Sequence, residues 1–119
     1  MTPSPGRRFR EAFERAASTS SIGGSAVLRD LAEMARACTT GKNNAIDAVA
    51  FAMSTILEQH ANDLEDRPVT GDDTYALMSA GYDDLADGAK FLEKGGTAEL
   101  AVEIVTALAR LEPASLYRH

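Results

Sequence analysis

Apolar residues recur along this chain at spacings of three and four, the period of an amphipathic helix, and nowhere alternate with polar ones as a half-buried strand requires. Five segments carry the rhythm. Over residues 5–17, Phe9 and Phe13 lie four apart with Ala12, Ala16 and Ala17 beside them. Ser4 offers an N-cap there, and Pro5 suits the first helical position, where its missing N–H costs nothing. Over 25–38, a Ser25 cap is followed by Val27, Leu28, Leu31, Met34, Ala35 and Cys38. Over 44–66, Asn44 caps and Asp47 sits three residues on, close to a capping box. The stripe of that helix is Ile46, Val49, Met53, Ile56, Leu57 and Leu64, and Pro68 ends it. Over 71–94, behind Thr70, the run Tyr75, Met78, Tyr82, Leu85, Ala89 and Leu92 keeps the heptad alternation of a helix–helix seam. Over 97–111, Thr97 caps a helix in which Leu100, Ala101, Val102, Ile104, Val105, Leu108 and Leu111 cover more than one stripe.

The pattern predicts an all-α protein: an antiparallel bundle of four main helices (25–38, 44–66, 71–94 and 97–111) with an additional N-terminal helix over 5–17. Short connections favour up-and-down order. The Ser-, Thr- and Gly-rich stretch 18–24 buries little and reads as a linker. Residues 1–24 are therefore expected to form a basic helical arm, 25–112 the bundle and 113–119 a loose tail. Gly81 and Gly88 lie seven apart beside the heptad seam, where each costs about 1 kcal/mol against alanine. The expected return is close approach of another helix.

Charge sharpens this outline. The 119 residues fit one domain with a net charge of −6, unevenly spread. Residues 43–89 hold ten acids against one base, Arg67, whereas Arg7, Arg8, Arg10 and Arg15 crowd the N-terminal helix. Asp63, Glu65 and Asp66 fall in the last turn of their helix, where the helix dipole disfavours negative charge. An antiparallel hairpin brings Asp72 and Asp73 to the same end. Helix stability does not account for these five carboxylates, so a basic surface on another protein is the expected partner. A helix apolar as far round as 97–111 is either central or paired with a second chain. Leu100, Ile104, Val105 and Leu108 are the expected self-association residues, and a twofold homodimer is the commonest outcome.

Candidate chemistry adds little. Cys38 is the one cysteine, which excludes an intramolecular disulfide and fits a reducing compartment. No segment reaches the ~20 apolar residues of a membrane span, and residues 1–10 lack the apolar run of a signal peptide. The expected location is cytoplasmic. Abundant alanine, with nine arginines to three lysines, points to a GC-rich bacterial coding sequence. His60 and Asp63, one turn apart, supply two metal ligands where a catalytic zinc usually takes three. His60 is otherwise read as standing at the wet end of a bundle face. Asp63, Glu65 and Arg67 break the calcium-loop spacing. Histidine phosphotransfer domains match in size but carry a lysine three residues and a glycine four residues after their histidine; Asp63 and Leu64 stand there. Gly41-Lys42 lacks the upstream glycine of a phosphate loop. The helix over 44–66 has no Arg or Lys with which to read DNA.

No cofactor, metal or catalytic constellation emerges. The sequence reads as a non-enzymatic helical regulator or adaptor that acts through protein contacts, without direct DNA recognition or membrane insertion. Two alternatives stand beside it. One is a bundle sensing a small ligand or metal, with a pocket left by Gly81 and Gly88 near Tyr75 and Tyr82. The other is an acidic nucleic-acid mimic that inhibits another protein.

Overall fold

Helix-start chemistry sets the boundaries. A computed structural model describes residues 2–18, 25–65 and 71–111, with only the backbone of 71–80. It holds α1 (Pro5–Ser18), α2 (Ser25–Arg36), α3 (Ala45–Glu65), α4 (Gly71–Lys94) and α5 (Ala98–Ala109), with no strand among the described residues. The Arg7 N–H donates to Ser4 Oγ at 3.2 Å, and the Leu100 N–H to Thr97 Oγ1 at 3.3 Å. At α3 the Asp47 N–H donates to Asn44 Oδ1 at 3.1 Å. The Asp47 carboxylate does not close a reciprocal box. It reaches back to accept the Thr40 N–H at 2.6 Å and the Asn43 N–H at 2.8 Å, which pins the loop before α3. Those bonds, the Thr40 N–H first, hold the Asp47 carboxyl below its usual range. Gly95, at φ +66°, stops α4 in the left-handed conformation that glycine adopts without penalty. Pro68, Thr70 and the 113–119 tail lie outside the described residues.

The helices close into a ring. α2 packs on α3, α3 on α5, α5 on α4, α4 on α1 and α1 back on α2, while α3 also touches α4 across the middle. Arg29 of α2 reaches Glu65 near the far end of α3, and Arg36 reaches Glu58, so these two helices run antiparallel. Gly88 meets Met53 and Gly81 meets Leu111, which sets α4 antiparallel to α3 and α5.

The N-terminal helix packs on the bundle as one of its walls. Phe9 and Phe13 are both fully buried, and Phe13 stacks on Tyr82 of α4 with ring centroids 5.7 Å apart. Gly6 makes the docking possible. A Cβ there would stand 2.1 Å from the Leu92 carbonyl oxygen, so only glycine lets α1 lie this close to the end of α4. Two of its arginines are also committed. Arg7 pairs with Glu11, and Arg10 with Glu14 and with Glu93 of α4. The Arg10 guanidinium holds the Glu93 carboxyl below the usual carboxylate range.

The interior is continuous. Leu28, Leu31, Val49, Met53, Leu57, Leu64, Leu85, Phe91, Ile104 and Leu108 belong to one buried cluster. His60 lies in it as well, fully buried rather than at a wet end. It falls on the same stripe as Met53, Leu57 and Leu64, and that stripe is the central wall of the core. Burial lowers its pKa to about 4, with the Asp63 charge opposing, so the ring is neutral at pH 7. Gly81 and Gly88 serve close packing, as their spacing implied. A Cβ would stand 3.0 Å from a Leu111 methyl at the first and 2.7 Å from the Met53 sulfur at the second. Side chains thus fill the immediate Cβ positions of both glycines, while the Tyr75 side chain lies outside the described residues.

Candidate functional site: an apolar face on α3 and α5

α5 carries two apolar stripes, and the bundle uses one. Ala101, Ile104 and Leu108 face inward and are buried. A second stripe, Ala98, Val102, Val105 and Ala109, follows spacings of four, three and four along the outer side. Val102 is 66% exposed, and Val105 is half-buried.

α3 continues this face. Ala45 and Ala48, at its N-terminal end, are small enough to leave an open groove beside α5. The groove has a volume of about 380 Å³ and is lined by Ala45, Ala48, Ala98, Ala101, Val102 and Val105, with Asn43, Asn44 and Thr106 at its polar margin. One turn beyond Ala48, Phe51 stands 68% exposed on the outer side of α3. An aromatic ring left in water forgoes roughly 1.5–3 kcal/mol of burial, the largest such loss on the described surface. A hollow floored by alanine and valine, with the exposed Val102 side chain at its edge, can receive side chains from another helix. No titratable group lines it.

The expected self-association residues divide across α5. Ile104 is 5% exposed and Leu108 fully buried, so both are spent on this chain's own core. Leu100 is half exposed on the side facing α4, with Asp84, Asp87 and Glu103 around it. Val105 alone of the four lines the outer groove. Sequence reasoning passed over Phe51, which lies off the core stripe of its helix, and left Val102 out of the expected self-association residues. The four–three–four spacing of Ala98, Val102, Val105 and Ala109 is the signal that separates the two faces of α5.

The acidic end is only partly in view. Glu65 accepts from Arg29 at 2.7 Å, and the same guanidinium donates to Asn62, so this charge is matched within the chain. Asp63 is half-buried on the flank beside His60. Asp66 and the side chains of Asp72 and Asp73 lie outside the described residues, as do those of Tyr75 and Met78.

Other candidates close down chemically. Burial pushes the Cys38 thiol up, and its S–H donates to the Met34 carbonyl oxygen at 3.3 Å, which keeps it protonated. Among the described residues no three His, Cys, Asp or Glu side chains are gathered for a metal ion. Among the same residues no helix is long and apolar enough to cross a membrane. Comparison with protein families, curated proteins and solved structures returns no match, so the geometry alone informs function.

Proposed function

We propose that this chain is a non-enzymatic helical adaptor or regulator that works through protein contacts, and that its contact surface is the apolar face of α3 and α5. The observation that carries the reading is that Val102, 66% exposed, stands on a groove of small apolar residues contributed by two different helices. Apolar area of this kind stabilises nothing in the isolated chain and gains on contact with a partner. Self-association belongs to the same reading, because the face offers both projecting side chains and a hollow.

This reading moves the docking surface away from the acidic end, where Arg29 already matches Glu65. Salt separates the two. Capture through the apolar face persists at high ionic strength, whereas capture by carboxylates on a basic surface weakens as charges are screened. The test compares proteins retained by immobilised wild type, Val102→Lys and Phe51→Asp at low and high salt. Loss of retention in both variants, with helicity and melting unchanged, is the expected result. Retention that survives both substitutions but vanishes at high salt would return the function to the acidic end.

The groove volume also lies within the 300–1,000 Å³ range of small-molecule sites. An apolar ligand is the second reading. It predicts a rise in melting temperature with small hydrophobic compounds that Val102→Lys abolishes.

A further inference from the structure

We infer that the occupant of the outer α5 stripe is a second copy of this chain, packed about a twofold axis with the two α5 helices antiparallel. The inference rests on the contact surface proposed above and names what covers it.

The stripe is its own mirror. Ala98, Val102, Val105 and Ala109 read alanine, valine, valine, alanine. A twofold axis crossing the helix midway between Val102 and Val105 sets each valine against the other valine of the partner copy, and each terminal alanine against the other alanine. Bulk meets bulk at the centre, and small residues at both ends let the backbones close to the 8–10 Å of packed helices. A parallel in-register pair also sets like against like, so the order of the stripe favours a second copy and leaves the direction to be chosen by charge. Isologous contact is what a self-complementary patch produces.

Charge selects the same orientation. Glu99 and Arg110 are both exposed on one flank of this stripe, at opposite ends of α5. Antiparallel packing lays Glu99 of each copy near Arg110 of the other, twice over. Parallel packing sets this flank against the opposite, groove-bearing flank of the partner and forms no such pair. On the other flank lie the groove and the α3 helix that walls it. Their inclusion is required by size: a helix of 12 residues is about 18 Å long, and its seam alone falls short of the ~800 Å² per partner of a standard interface. The twofold places the two α3 helices on the same flank, where the grooves of the two copies adjoin.

Sedimentation equilibrium over a dilution series from low to hundreds of micromolar tests this, with circular dichroism and thermal melting as controls. Wild type is expected to reach twice the chain mass within that range. Val102→Lys changes an exposed side chain and leaves the fold intact, yet it places an ammonium in the seam and should weaken the dimer roughly tenfold or more. Glu99→Arg and Arg110→Glu should each weaken it roughly two- to fivefold, and the double variant E99R/R110E should recover most of the loss. A wild-type chain that stays monomeric throughout, or a dimer indifferent to Val102→Lys, overturns the inference. A double variant no tighter than either single one overturns the antiparallel arrangement. A monomer that still retains another protein through Phe51 and Val102 overturns the second copy alone and leaves the proposed contact face standing.

Discussion

α1 and α5 are helices of similar length at opposite ends of the chain, and they finish their chemistry differently. α1 has one narrow apolar edge, Phe9 and Phe13, which vanishes into the bundle, while its polar side is laced by Arg7–Glu11 and Arg10–Glu14 pairs. Most of what it presents to a neighbour finds that neighbour within the chain. α5 buries an edge of the same kind and then carries a second apolar edge that none of the described residues fully covers. The contrast teaches that a helix apolar around most of its surface need not be central. α5 sits on the outside of the ring, and its surplus is directed outward. Folding therefore depends on α1 out of proportion to its polar composition, while the association proposed above rests on exposed residues of α5 to which folding should be indifferent.

The largest test of that contrast is Phe13→Ala. Deleting a buried aromatic ring costs about 3–5 kcal/mol, so urea unfolding should show a loss of that order with self-association of the folded fraction unchanged. A cost under 1 kcal/mol would return α1 to a dispensable arm.

His60 gives the next effect and probes the wall between the two regions. Unfolded, the ring binds a proton below pH 6.5; folded, it resists until about pH 4. The unfolded state thus holds more protons across that window, and stability should fall with pH there by roughly 3 kcal/mol in total. His60→Leu should flatten this slope between pH 6.5 and 4. Below pH 4 both proteins should still lose stability, because Asp47 and Glu93 have lowered carboxyl pKa values that favour the folded state only while they are ionised. An unaltered slope would place the titrating group elsewhere.

Gly6→Ala comes third. One methyl group against the Leu92 carbonyl forces the backbones apart and should cost about 1–3 kcal/mol in chemical unfolding, although alanine is the better helix former. A stabilised Gly6→Ala would mean that α1 does not dock in this register. Thr97→Ala, which removes the cap of α5, should cost about 1 kcal/mol. The smallest effect on folding belongs to Val102→Lys, within about 0.5 kcal/mol of wild type because the side chain is exposed. A larger loss would show that the outer edge of α5 is structural.

The helices were legible because their ends announce themselves locally. Ser4, Asn44 and Thr97 make the cap bonds that their positions imply, and Gly95 stops α4. Long-range partnership was not legible. Phe9 and Phe13 predict that α1 has a buried edge but not that α4 receives it, and a first-turn glycine reads as a weak helix residue until a carbonyl is found against it. His60 was obscured by its polar neighbours in sequence, Glu58, Gln59, Asn62 and Asp63, although spacings of four, three and four from Met53 through Leu57 and His60 to Leu64 place it inside. The contact face divides in the same way. Apolarity around α5 was evident, but which edge the chain consumes is fixed by the other helices. Val102 gained meaning only once Ala45 and Ala48 of α3 stood beside it.

The ring closure between α1 and α4 also has a consequence in time. Arg10 and Glu93 are 83 positions apart, so α1 leaves the ribosome long before the helix that covers it. At ~5–20 residues per second, Phe9 and Phe13 wait roughly 4–15 seconds for their cover. α2 and α3 can pair during that interval, since their contacts are local in sequence. The nascent chain therefore passes through a stage in which an aromatic edge lies open, and at that stage a chaperone would find its grip on α1.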